Sequence, residues 1–533
     1  FVGDGATLTT PASLVVDARD GTNVSVVAGA EASGNLLGVG LSGARVDVDR
    51  DVRAFIGDAT VRALGVGGRT ITGPGGTLIQ LPGGVIVEAR TSDDLLTYAA
   101  GRAGTGDLGL AASAVYNTAD SETEAFINAG ALVNADNTGA AADQRVDVSA
   151  HHTADVLSVS GSYADGSRVG LGAALDAQLL TKNVSARIGQ DAVVNAADDV
   201  LVDALSRDGL ASTAGGVAGA GQVSIAGSVS FIKPDTRTRA FIAGTVDAGG
   251  NVIVTADGDS TITADSGTAS FGTTAGVAAS VAALVKNDET EAFLTGTADV
   301  KARGNGATTT VKTGQRDVPG NEITRSVLGL WVGATSEEII STTAAGGQNS
   351  GAAGAAGSLI FSVLNETTRA FIDPGARVNV SLLSAGGLPL DQSVRVWAVS
   401  RTVMTDEAGA DVAGNLLGVG TGVDFVALTK ETEARIGGQI EANRDVEAQA
   451  FSEEDLKSRT GTTGLAFVTA FGGAGDMHGL EITTRASVAD GAIVRANGSV
   501  LVAADSSTEV DVITGDRNAS TGAAGGASAS AVV

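Results

Sequence analysis

The chain has 533 residues, with 34 Lys and Arg against 61 Asp and Glu, a net charge of −27, and no Cys. The charge argues against a nucleic-acid surface, which needs clustered cations to meet phosphate, and the lack of Cys excludes disulfides, thiolate metal sites and a Cys nucleophile. Hydrophobic residues reach 43% and aromatics only 3%, too apolar for a disordered chain and too poor in large rings for one bulky globular core.

The predicted elements recur in a fixed order. Phe1–Ala6 (FVGDGA) is half of a phrase that returns as VRAFI around Ala54, TEAFI at Ala125, VSARI at Ala186 and TRAFI at Ala240. It continues as TEAFL at Ala292, TRAFI at Ala370, TEARI at Ala434 and TTRASV at Ala486. The anchor alanines are 71, 61, 54, 52, 78, 64 and 52 residues apart. Such self-similarity is the mark of a repeat architecture. After each anchor phrase come two alternating runs. In one copy they are Gly244/Val246/Ala248 and Val252/Val254/Ala256; the second returns as Leu14/Val16/Ala18, Val85/Val87/Ala89, Val146/Val148/Ala150 and Val200/Val202/Ala204. Val394/Val396/Ala398, Val446/Ala448/Ala450 and Val500/Val502/Ala504 follow, with Thr309/Val311/Thr313 as a degraded copy. Residues two apart share one face of a strand, so this period predicts strands, not helices. A Gly/Ala/Ser stretch such as SGTASFGTTAGVAASVAALV completes each repeat. It reads as further strands whose small inward side chains let two faces approach closely.

One repeat cannot bury its own apolar face, whereas stacked copies can. The expected fold is therefore all-β, an elongated parallel β-solenoid (β-helix) of about nine repeats of roughly 52–78 residues, a single continuous body over 1–533. Two rungs per repeat would give a rod about 85 Å long. Phe1 falls inside a copy, so the chain reads as a segment of a longer repetitive protein. Insertions are expected near 69–84, 314–357 and 382–392. The second carries Leu328, Leu330 and Trp331 outside the regular pattern, and these three are the candidate partner contacts, since aromatic anchors are enriched at binding hot spots.

Motifs for chemistry are scarce. There is no HExxH, GxSxG or Walker A lysine. His151-His152 reads as a solvated pair at a strand end. Asp17/Asp20, Asp198/Asp199 and Asp257/Asp259 read as turn chemistry. Asp257-Gly258-Asp259 could offer oxygens to Ca²⁺, but the nonapeptide of Ca²⁺-binding β-rolls and the EF-hand loop are both absent. No cofactor and no catalytic residue is assigned. No apolar run is long enough to span a membrane.

The stretches Asp288-Glu289-Thr290-Glu291-Ala292-Phe293-Leu294 and Asn365-Glu366-Thr367-Thr368-Arg369-Ala370-Phe371-Ile372, each followed by further alternating runs, resemble giant bacterial surface proteins. The likeness is to filamentous adhesins of the leukotoxin-like and filamentous-haemagglutinin-like kind, and it covers essentially the whole chain. It implies export, a β-helical rod at the bacterial outer surface, and contact with a cell surface, a glycan ligand or sister rods. It transfers no catalytic residue. A self-assembling extracellular filament is the alternative expectation. A carbohydrate-active β-helix enzyme is the third, because such enzymes gather acid–base carboxylates and cations in one groove.

Overall fold

The computed structural model describes all residues except 68, 73–77, 82, 105 and 319, together with the side chains of the described residues outside 68–82. Among the described residues there is no helix. Three parallel sheets of nine strands each run in chain order, one strand of each sheet per coil. Coil five shows the plan: a short strand Thr245–Ala248, a long outgoing strand Val252–Gly272, a tight turn, and a long returning strand Ala275–Leu294. The fold is thus the expected parallel β-solenoid.

Its proportions differ from the expected rod. Each repeat makes one coil, not two. A 21-residue strand has a contour of about 70 Å, while eight inter-coil steps add only about 38 Å. This segment is therefore a flat blade, wider across a coil than along the stack. Strand alternation has period two whether a run is short or long, so the repeat length alone did not reveal how many strands it contained.

The anchor alanines stack as expected. Ala186 pairs with Ala240, Ala240 with Ala292, and Ala292 with Ala370, and these four are 0% exposed. Together with the Val/Ala positions of the other two sheets they form one apolar column beneath all three walls. Val2 bridges Ile56, and Phe1 stacks on Phe55, so the first residues do continue the phrase. Toward the far tip the two long sheets close directly on each other. A Cβ on Gly101 would lie 2.3 Å from the carbonyl oxygen of Ala112. Ser113 bonds Ser160, and Ser224 bonds Ser270, each at 2.7 Å across the interior. The Gly/Ala/Ser stretch is small because two backbones meet there.

Between the apolar column and the tip runs a buried ladder of charge. Odd coils supply Arg50, Lys182, Lys286 and Lys430; even coils supply Asp93, Asp208, Glu338 with Glu366, and Glu454. Arg50 meets Asp93, Lys182 meets Asp208, Lys286 lies 2.8 Å from Glu338, and Lys430 lies 3.0 Å from Glu454. Parallel in-register stacking places identical positions about 4.8 Å apart, so a conserved sign would stack like on like. Alternation turns that repulsion into attraction, and where Asp288 of coil five stacks on Glu366 of coil six, Lys286 stands 3.4 Å from Asp288 to offset the like charges. Burial works to lower Lys286, but Asp288, Glu338 and Glu366 outweigh it and hold its ammonium above the ordinary range. Burial pushes Glu338 well up. The same alternation appears outside, just before the anchor alanine, as Arg239, Glu291, Arg369 and Glu433. Arg239 and Arg369 both reach Glu291, at 3.1 and 3.7 Å.

All long insertions leave the coil at one corner, between the short strand and the outgoing strand. They lie at 64–83, 134–144, 303–328 and 379–392 in coils two, three, six and seven. The first holds an antiparallel pair, Arg69–Thr72 with Leu78–Leu81; residues 73–77 and 82 of the expected 69–84 insertion lie outside the described residues. The second was not expected from the sequence. The third is shorter than the expected 314–357, because Gly329–Ser350 and Ala353–Ile372 are regular strands of coil six. Leu330/Val332/Ala334 is the true copy of the Val/Ala run, paired with Val252/Val254/Ala256. Thr309/Val311/Thr313 belongs to the insertion's own hairpin. The fourth lies where expected.

Two insertions cut a short strand to two residues, Leu132–Val133 and Arg377–Val378. Asn134 and Asn379 then enter positive φ, at 51° and 54°, and each turns its side-chain oxygen to the N–H of Ala63 or Ala302 at 2.8 Å. Gln144 and Gln392 repair the next gap, donating to the carbonyls of the same two alanines and accepting from Ala197 and Asn443. Gln392→Leu removes both bonds at a fully buried site. It is expected to cost about 1–3 kcal/mol, read as a lower denaturant midpoint with an unchanged m-value.

Candidate functional site: the cleft beneath the coil-six hairpin

The third insertion folds as a hairpin, Thr309–Arg316 against Glu322–Val327. Its turn is closed by Asp317, whose carboxylate accepts the N–H of Asn321 at 2.7 Å. The hairpin lies down on the outer face of the outgoing sheet because both surfaces are apolar there. Val311 and Val327 cover Trp331, Trp397, Ile253 and Val399. The two indoles stack with centroids 5.7 Å apart, and Trp397 Nε1 donates to the carbonyl of Thr313 at 2.9 Å. Arg316 clamps Glu337 (Nε to Oε1, 2.8 Å), and Arg325 reaches Glu447 at 2.9 Å.

This placement corrects the expected contact residues. Trp331 and Leu330 are 0% exposed, and Leu328 is half-buried. Leu330 faces the apolar column as a regular rung residue, while Trp331 points outward but lies under the hairpin. Neither Leu330 nor Trp331 can meet a partner in this fold.

The hairpin overhangs a cleft of about 330 Å³ on the outer faces of coils two to six. Outward positions two apart on each strand bring their side chains there: Asp147 and His151 from Arg145–Gly166, Asp203 from Val200–Ala220, and Asp257 from Val252–Gly272, with Asp259 just beyond. His151 Nε2 lies 2.9 Å from Asp203 Oδ2. Thr335 donates to Asp257 at 2.6 Å. Arg207 stands 3.7 Å from Asp259, and Lys312 overlooks both from the hairpin. Burial pushes Asp147 and Asp257 above the usual carboxylate range. Burial and then the neighbouring Asp257 charge carry Asp259 to about 7. The cleft therefore sets carboxyl groups that hold their protons above the usual range beside the His151–Asp203 contact.

The histidine pair is not at a strand end, as expected. The strand runs on to Gly166, and period two sends the two rings to opposite sides. His151 faces the cleft, and His152 is buried with Nε2 3.1 Å from Asp93. Burial lowers His152. Asp199 does work at a turn, accepting the N–H of Asn251 at 2.6 Å, but from the next coil. Asp257 and Asp259 are strand residues, not turn residues. The sequence signal for the cleft was the even spacing of Asp257, Asp259 and of Asp147, His151, which puts each pair on one face.

A raised carboxyl has a fixed sign in stability. Asp259 is protonated in the fold and ionised in the unfolded chain between about pH 4 and 7. Its favourable contribution is present at acid pH and is lost as pH rises through about 7. The charges facing it are Asp257, Arg207, Glu337 and Lys312. Asp259→Asn is expected to raise the melting temperature at pH 8 more than at pH 5, measured by circular dichroism across that range.

No family model, no curated protein and no solved structure matches the chain. Among the described residues no helix is long and apolar enough to cross a membrane.

Proposed function

We propose that the chain is a stiff structural and adhesive section of an exported bacterial surface protein, making contact with a cell-surface or glycan ligand at the corner where its insertions emerge. One observation supports this reading above others: nine coils repeat one cross-section without a break, and the departures from regularity gather at a single corner. In repeat architectures, insertions on one face often form the binding face. The body supplies reach and stiffness; the decorated corner supplies contact.

The test uses beads coated with the chain. In a variant, residues 303–329 are replaced by the three-residue turn of coil five, Gly249-Gly250-Asn251, and the uncovered indoles are changed by Trp331→Thr and Trp397→Gln. Attachment to cells or to a glycan array should fall while the melting temperature stays close to the parent's. Undiminished attachment removes coil six as the contact, and absent attachment in the parent removes adhesion. Regular fibres in electron micrographs would favour self-assembly instead.

A second reading rests on the cleft. Asp257 and Asp259 stand two apart on one strand, so both carboxyl groups share the cleft face, as a paired-carboxylate glycosidase mechanism requires. New reducing ends released from a glycan panel by the parent, and lost in Asp259→Asn, would establish that reading over adhesion alone.

A further inference from the structure

A second charged group lies inside the blade, apart from the ladder and the cleft. In coils seven and eight the inward positions hold Asp406, Asp424, Asp476 and His478, each 5% exposed or less. Register stacks Asp424 on Asp476 and Val426 on His478, so the group spans two coils. Ligating atoms of Asp424, Asp476 and His478 lie within 4.8 Å of one another. His478 Nε2 is 2.9 Å from Asp476 Oδ1 and 3.6 Å from Asp424 Oδ2.

The group is short of positive partners. His478 Nδ1 has no hydrogen-bond partner, and neither does either carboxylate oxygen of Asp406. Ser458 Oγ meets Asp424 Oδ2 and Asp476 Oδ2 together. A hydroxyl owns one proton, so one of these contacts sets a lone pair against a carboxylate. Thr460 adds a hydroxyl to Asp476 Oδ2 at 3.2 Å. The ladder cation on the same strand as Asp424, Lys430, is six residues on, about 20 Å away. Carboxylates buried at this density require a cation or protons.

We propose that Asp424, Asp476 and His478 bind one divalent first-row metal ion, Zn²⁺ foremost, with Asp406 or Ser458 completing the shell. An imidazole with carboxylates suits Zn²⁺ or Mn²⁺, whereas Ca²⁺ and Mg²⁺ prefer oxygen alone. A four-ligand shell closed to solvent is the structural kind of zinc site. Here the ion pins coil seven to coil eight, on the tip side of the Lys430–Glu454 pair.

Because the site is closed, the whole chain is refolded from urea in Zn²⁺ or in EDTA, then desalted. Elemental analysis should find one Zn²⁺ per chain in the first sample, with a higher melting temperature than the second. Zinc-edge absorption should show one imidazole nitrogen among oxygen ligands. Asp476→Asn, which relieves crowding and so keeps the fold, and His478→Gln should each weaken uptake at least about tenfold. His151→Gln, at the outer cleft, should leave it unchanged. No uptake by the folded parent would overturn the proposal in favour of an imidazolium and shared protons. Equal uptake by Asp476→Asn would place the ion elsewhere, and uptake of Ca²⁺ but not Zn²⁺ would overturn the ion class.

Discussion

Ala292→Arg is expected to destabilise the middle of the blade by about 4 kcal/mol or more, the range reached when an unpaired charge is forced into a packed interior. Ala292 is fully buried, stacked between Ala240 and Ala370, and the wall of three sheets offers the guanidinium no route to water. Stability in stacked repeats is carried mainly by nearest-neighbour interfaces. Hydrogen exchange should therefore show loss of protection centred on coils four to six, with coils one and eight retained. A variant that melts like the parent would mean that the anchor alanines do not line a closed interior.

Lys430→Met should cost about 3–5 kcal/mol, because breaking a buried pair from one side leaves its partners charged and unpaired. Lys430 is fully buried. Its ammonium lies 3.0 Å from Glu454 and 4.0 Å from Glu366, and donates to Thr402 at 2.9 Å. Adding Glu366→Gln and Glu454→Gln to the same chain should recover most of the loss, as apolar or neutral replacements of whole buried ion groups commonly do. Chemical denaturation of the single and triple variants checks this. A triple variant as unstable as the single would show that the lysine acts by packing and not by charge.

The stacking axis was legible because the anchor phrase is short, repeated and apolar. Ala240, Ala292 and Ala370 announce a shared environment, and the Gly/Ala/Ser runs announce close walls. The ladder was hidden by residue type, since Lys286 or Lys430 in an acidic chain reads as surface. Their positions held the signal: Lys182, Glu366 and Lys430 stand four residues before an anchor alanine and Lys286 six, even offsets that turn them inward. Trp331 misled for a related reason. Its neighbours Thr309, Val311 and Thr313 alternate as well as any rung, so the hairpin passed for the repeat and the rung for the insertion. The even spacing of Asp257 and Asp259, and of Asp476 and His478, was legible as a shared strand face, but the assembly of the cleft and of the Asp424–Asp476–His478 group was not, because the remaining members come from other coils and meet only through register.

One coil per repeat is the claim on which the ladders, the cleft and the blade shape all depend. Cysteines at positions 241 and 293 test it directly, in a chain with none of its own. Phe241 and Phe293 are register partners with ring centroids 4.8 Å apart, and adjacent coils hold Cα atoms near 4.8 Å, inside the roughly 4.4–6.8 Å window of a disulfide. Mild oxidation of folded Phe241→Cys/Phe293→Cys should close the bond nearly completely and shift its migration in a non-reducing gel. Two coils per repeat would hold these residues about 9.6 Å apart, and thiols that stay free in the folded protein would contradict the account.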